Sequence, residues 1–186
     1  MDPIYEARKA RMIATGSWNT NCSVAFDDLR LVRLSYWGFD DQSHTGELVL
    51  NADAVDAVVA AMRQIYQARF PIRRMVTVEE YGADDETSMR ADNTSAYNGR
   101  FVEGTTTCSQ HAYGRAIDIN PLENPMVKDG RVYPATAGDY VDRNQDVNGM
   151  IQPGDVVVRA FAEVGWPWGG DWHSLKDWQH FSATGR

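Results

Sequence analysis

The chain lacks several features that would place it in familiar classes. It has no run of 18 apolar residues, so no segment reads as a transmembrane helix. It has no Lys/Arg run, RNA-binding signature or basic helix, and its formal charge is −8, so nucleic acid is not an expected partner. The overall field offers no attraction to a negative polymer, which would have to be met by local cations. The first nine residues lack the apolar core of a signal peptide, from which we expect either export by a non-standard route or a mature or trimmed form. There are no internal repeats, low-complexity tracts or interdomain linkers, and a single domain over residues 1–186, acting as a monomer, is expected. Cysteine is scarce: Cys22 and Cys108 can form one bridge or remain two free thiols. Cys108 lies three residues before His111 and could compete for a metal, while a bridge to Cys22 is the preferred use in an exported protein.

What is present suits a soluble core: 43% hydrophobic and 24% charged residues, with six Trp and eight Tyr that read first as core side chains. Residues 1–25 read as an N-terminal helix and loop, the helix at 4–14 stopped by Gly16. Residues 29–36 alternate as a strand does, 40–46 read as a turn holding a solvated His44, and 47–50 as a short extended stretch. The clearest helix spans 53–69. There Val55, Val58, Val59, Met62, Ile65 and Tyr66 recur at three-to-four spacing, Asn51 or Asp53 can cap the start, and Pro71 follows the end. Residues 75–80 read as a central strand. A helix across strands implies an α+β domain, a small antiparallel sheet flanked by helices. Polar residues 82–100, with a short helix at 85–90, read either as a solvated loop or as a cleft loop ending at Arg100. Residues 120–152, with a hairpin-like turn at 128–131, read as a flap beside the cleft. A last amphipathic helix begins near Pro153 and stops at Gly165.

Two stretches carry chemistry. Residues 109–118 (SQHAYGRAID) hold His111 and Asp118, and residues 171–181 (DWHSLKDWQHF) hold Asp177 and His180. Asp118 stands between Ile117 and Ile119, and a carboxylate is costly to bury there unless paired or metal-bound. Gly114 permits a sharp approach of backbone, and Ala116 leaves space. Asp177 and His180 are three apart and would share one side of a helical or 3₁₀ turn. Two histidines, a carboxylate and a spare carboxylate form the set a zinc hydrolase needs: three ligands, an open position for water, and a base beside it.

The pattern Ser-x-His-x-x-Gly-x-Ala-x-Asp followed by Asp-x-x-His resembles that of the D-alanyl-D-alanine carboxypeptidase and L-alanyl-D-glutamate endopeptidase family of peptidoglycan zinc peptidases, which includes phage endolysins. Ser109, His111, Gly114, Ala116, Asp118, Asp177 and His180 carry it, together with the WPWGGDW approach at 166–172. The resemblance spans roughly residues 93–181. It implies a hedgehog/D-Ala-D-Ala peptidase-like fold, Zn²⁺ held by His111, Asp118 and His180, and Asp177 as general base. It further implies a peptidoglycan stem peptide as substrate and a place in the cell envelope or outside the cell, or as a phage lysin released at lysis. Asp rather than Glu at 177 tilts the expectation towards an L-alanyl-D-glutamate-type endopeptidase, with D-alanyl-D-alanine carboxypeptidase as the alternative and an inactive zinc-containing binding module as a second. The family's arginine for a substrate carboxylate or oxyanion has no match at the Tyr81-Gly82 step; Arg100 is the expected substitute, with Arg90 also open. Ser109 is expected to support a ligand rather than act as nucleophile, and His173 to sit at the cleft edge.

Overall fold

The alternating N-terminal third folds as a hairpin with a helix on each face. In the computed structural model, which describes residues 1–185, β1 (Asp2–Pro3), β2 (Leu29–Trp37) and β3 (Ser43–Asn51) make an antiparallel sheet in the order β1-β2-β3. Leu31 lies opposite Val49, and Val32 opposite Leu48. Period two therefore sends the first pair to one face and the second to the other. Helix α1 (Glu6–Thr15), closed by Gly16 at φ 83°, covers the first face, where Met12, Leu29, Leu31, Val49 and Tyr97 form one buried cluster. Helix α2 (Val55–Gln67) covers the second with Val58, Met62 and Ile65 against Val32, Leu48 and Leu50. Its entry is a 3₁₀ turn at Ala52–Ala54 in which the Asn51 side chain accepts the Asp53 N–H.

The remaining elements are short and are joined by long-range pairing. β4 (Arg74–Met75) runs parallel to β5 (Asn93–Thr94), with α3 (Asp85–Arg90) between them. β6 (Ala116–Asp118) pairs antiparallel with β10 (His180–Ser182). β7 (Met126–Lys128) pairs with both β8 (Arg131–Tyr133) and β9 (Lys176–Asp177). Helix α4 (Val156–Glu163) packs on α2 and places Phe161 4.4 Å from the Phe181 ring, stacked, beneath β10. The whole is a small single-domain α+β fold built largely of antiparallel sheets.

Three expectations are corrected. The central strand expected at 75–80 is only the two residues of β4; Val78–Tyr81 is a 3₁₀ turn. The Asn93 side chain takes the place of a strand neighbour, accepting the Val76 N–H and donating to the Val76 carbonyl, both at 2.9 Å. The turn carries Glu79 inward to Ser17 at 2.5 Å and Arg8 at 3.6 Å. His44 is not in a solvated loop but in β3, opposite Tyr36, with its Nε2 2.9 Å from Asp40. Within 82–100 the short helix stands at Asp85–Arg90 as expected, but the solvated-loop reading fails for residues 92–99, which are buried, their polar side chains replacing water as backbone partners. The 120–152 flap is a structured wall. Asp129 and Gly130, both at positive φ, turn β7 into β8, and Arg143 bonds the carbonyls of Glu123 and Ile151 and the Asn124 side chain.

Glu123 and Asp92 are buried beside Arg73, at the chain's exit from β6. Burial, and then the neighbouring Asp92 charge, push the Glu123 carboxyl up to about 8. A carboxyl raised on folding holds its proton in the native state after the unfolded chain has lost it. Stability is therefore complete below the unfolded value of 4.5 and declines as pH rises towards 8, by up to about 1.4 kcal/mol per pH unit. Chemical denaturation of Glu123→Gln across pH 5 to 8 should show a flatter profile than the wild type.

Candidate metal centre

The first histidine is positioned by a capped turn. The Ser109 hydroxyl accepts the His111 N–H at 3.3 Å and opens a 3₁₀ segment over Gln110–Tyr113. Gly114 closes it at φ 66°, where an added Cβ would lie 2.5 Å from the Asn51 nitrogen. That close approach lets Asn51 N–H donate to the Gly114 carbonyl at 2.9 Å and the Asn51 amide to Tyr113 at 3.1 Å, tying the turn to the end of β3. The buried His111 ring sets Nδ1 against the Ala96 carbonyl. A carbonyl can only accept, so Nδ1 carries a proton and Nε2 is the nitrogen left for a metal.

The second histidine is delivered by strand pairing. In the β6–β10 ladder His180 stands directly opposite Asp118, and such pairs project to one face. His180 Nδ1 lies 2.9 Å from Asp118 Oδ1, His111 Nε2 3.1 Å from Asp118 Oδ2, and the two ring nitrogens are 3.3 Å apart. All three residues are buried, and their donor atoms lie within 4.8 Å of one another. Burial alone would raise the Asp118 pKa, but the charges and hydrogen bonds of the two imidazoles outweigh it and hold this carboxyl well below the ordinary range. Four tetrahedral zinc ligands at 2.0–2.2 Å stand about 3.3–3.6 Å from one another, so this donor set fits such an ion with slight opening.

Asp177 reaches the site by a route other than the expected helical turn. It ends β9 opposite Met126, residues 178–179 turn, and His180 begins β10. A turn of this kind brings first and fourth residues as close as a helix would, because both β9 and β10 are fixed by their own neighbours. Gly169 packs under it: an added Cβ would meet the Asp177 carbonyl at 2.5 Å and the His180 Cβ at 3.3 Å. The residue stays partly open to the cleft, while its Oδ1 is enclosed and takes no hydrogen bond. Burial is the main cause that pushes the Asp177 carboxyl up to about 7; the Asp118 charge adds to it, and His180, His111 and Arg100 oppose it.

The site opens into a cleft of about 700 Å³. Arg100 lines it, with its Nη2 2.8 Å from Asp85. Arg90 does not line it and pairs with Glu86 at 2.8 Å on the surface. His173 lies at the exposed edge, and Trp172 packs 5.3 Å from the His180 ring. Asp85, Met89, Met126 and Lys128 also line the cleft, and motif spacing points to none of them. The alternation of Met126 and Lys128 before the Asp129-Gly130 turn is the one signal that could have found that wall. Cys108 also lines the cleft and forms a disulfide with Cys22 across 86 residues, fastening the segment that leads into Ser109 to the N-terminal loop.

The group could hold a metal ion, with a carboxylate beside it and a cleft open to it. Residues 103–183 match the D-alanyl-D-alanine carboxypeptidase family, and this stretch holds His111, Asp118, Asp177 and His180. The match supports the family resemblance read from the two motifs. No curated protein and no solved structure matches the chain. Among the described residues no helix is long and apolar enough to cross a membrane.

Closing so long a loop removes unfolded-state entropy of about 4–5 kcal/mol in the chain-entropy account. Cys22→Ser with Cys108→Ser should therefore lower the unfolding free energy by an amount approaching that value. It should also weaken metal retention in a chelator competition, since the freed segment leads directly into the turn that carries His111.

Proposed function

We propose that the protein is a zinc peptidase that hydrolyses amide bonds of peptidoglycan stem peptides, as an L-alanyl-D-glutamate-type endopeptidase acting in the cell envelope or outside the cell. The observation that carries this reading is the buried His111–Asp118–His180 group with Asp177 beside it, inside the segment that matches the peptidase family. His111, Asp118 and His180 would hold the ion through two nitrogens and one carboxylate. Zinc bound there supplies a Lewis acid for the scissile carbonyl and lowers the pKa of its water to about 7.

The rest of the reaction falls to the chain. Asp177, with an enclosed oxygen that accepts from nothing in the protein, is placed to take a proton from the attacking water and pass it to the leaving amine. The Ala96 carbonyl holds His111 in one tautomer. Arg100 is the cation nearest this chemistry for a developing oxyanion, and Asp85 steadies it. Ser109 is occupied in capping the His111 turn, and no free base adjoins it to make it a nucleophile.

A D-alanyl-D-alanine carboxypeptidase is the second reading, favoured by the description of the matched family. The endopeptidase reading is preferred because Asp, not Glu, stands at 177 and because Arg100 is already engaged by Asp85. A zinc-containing binding module would have no use for Asp177, and a structural zinc would favour a fourth protein ligand.

Two measurements check this. Asp177→Asn should retain zinc by elemental analysis while cleavage of muropeptides falls by about 10²–10⁴-fold; full cleavage by this variant would remove Asp177 from the role of base. Mass spectrometry of digests of defined stems should show scission between L-alanine and D-glutamate, whereas loss of a terminal D-alanine would move the assignment to carboxypeptidase.

A further inference from the structure

The chain carries a net charge of −8, so besides a bound zinc ion an anionic substrate is drawn to the cleft by side-chain cations that no protein carboxylate already neutralises. Two permanent cations line the cleft among the described residues, Arg100 and Lys128. Arg100 is compensated: Asp85 Oδ2 lies 2.8 Å from its Nη2, both side chains are about one-third exposed (31% and 34%), and its Nε is enclosed without a partner. A substrate carboxylate would have to share this guanidinium with Asp85 or displace it. Lys128, by contrast, forms no ion pair and stands over no aromatic ring among the described residues.

Strand register places Lys128 with respect to the chemistry. Met126 of β7 is directly opposite Asp177 of β9, and directly opposed residues share a face. Lys128 is two residues on from Met126, so it projects from that same face, about 7 Å further along the strand. Val127 and Lys176 form the neighbouring pair on the other face, where the Lys176 ammonium donates to the Gly170 carbonyl at 3.0 Å. A lysine side chain is long enough to span the 7 Å back towards the reacting amide. It can therefore meet a carboxylate carried by the residue that follows the scissile bond.

We propose that Lys128, rather than Arg100, is the residue that recognises a substrate carboxylate on the leaving-group side and so sets which peptide bond is presented to the metal. The assignment rests on the peptidase reading of this cleft and holds for either bond: the carboxylate is the chain terminus for a carboxypeptidase, and one borne by an internal residue for an endopeptidase. Lys128 is then a specificity residue, and Asp85 keeps Arg100 from competing for the same anion.

The test uses zinc-loaded protein and two synthetic stem peptides that differ only in carrying a carboxylate or a carboxamide on the residue after the scissile bond. The wild type should prefer the carboxylate peptide in KM, with a preference that shrinks as salt is added. Lys128→Met should reduce that preference by about five- to tenfold, and Lys128→Arg should restore most of it. Tryptophan-fluorescence titration of zinc-loaded Asp177→Asn, with and without Lys128→Met, reads the same ratio as dissociation constants without cleavage. If neither peptide is cut but the binding ratio still depends on Lys128, the hydrolytic reading falls and the Lys128 assignment stands. A wild type indifferent to the carboxylate in both assays overturns the proposal. So does a preference unchanged in Lys128→Met, or one abolished by Arg100→Gln instead.

Discussion

A carboxylate buried between two imidazoles is the constraint on which the rest of the structure depends. Asp118 is 8% exposed, in a strand whose neighbours Ile117 and Ile119 sit in the core, and burial alone would favour its neutral form. It is kept ionised by rings that come from 7 residues before it and 62 after it in the chain. Removing either ring would leave a charge in a desolvated place, a large cost in a protein whose total stability is on the order of 5–15 kcal/mol. The capped turn at Gln110–Tyr113, the β6–β10 ladder and the Phe161–Phe181 stack beneath it all hold that triangle closed.

Much of this was legible in the residues. The helices α1, α2 and α4 were readable because each depends on its own periodicity, and their ends differ from expectation by only a few residues. The convergence of His111, Asp118, Asp177 and His180 was readable because acidic and imidazole groups beside isoleucines and tryptophans need a joint explanation. The bridge between Cys22 and Cys108 was one of two open possibilities, and the structure contains it.

What was not legible depends on partners far away in sequence. Residues 76–81 have strand-like composition, yet Asn93 supplies the hydrogen bonds a strand would have sought, and the segment turns instead. The polar stretch 82–100 reads equally as a solvated loop or a cleft loop; its part 92–99 is buried, with Asn93 and Thr94 side chains as partners for backbone groups. The spacing of Asp177 and His180 suited a helical turn as well as a strand–turn–strand, and only the neighbours Met126 and Asp118 decide between them. Arg100 was found by its position, but its neutralisation by Asp85 could not be, since fifteen residues separate them and no local period links the two.

Strand β9 belongs to two structures at once. Through Met126 it pairs with β7 of the hairpin that walls the cleft, as the outer strand of that three-stranded sheet, and through the turn at 178–179 it is the lead-in to His180. Arg143, stacked 4.7 Å over Trp178, clamps that turn to the flap. The wall of the cleft and the carboxylate proposed as base are thus joined through one strand. With Asp177 as the proposed base, discrimination between peptides would be expressed in turnover as much as in affinity, because a ligand that seats the hairpin badly would also tilt Asp177.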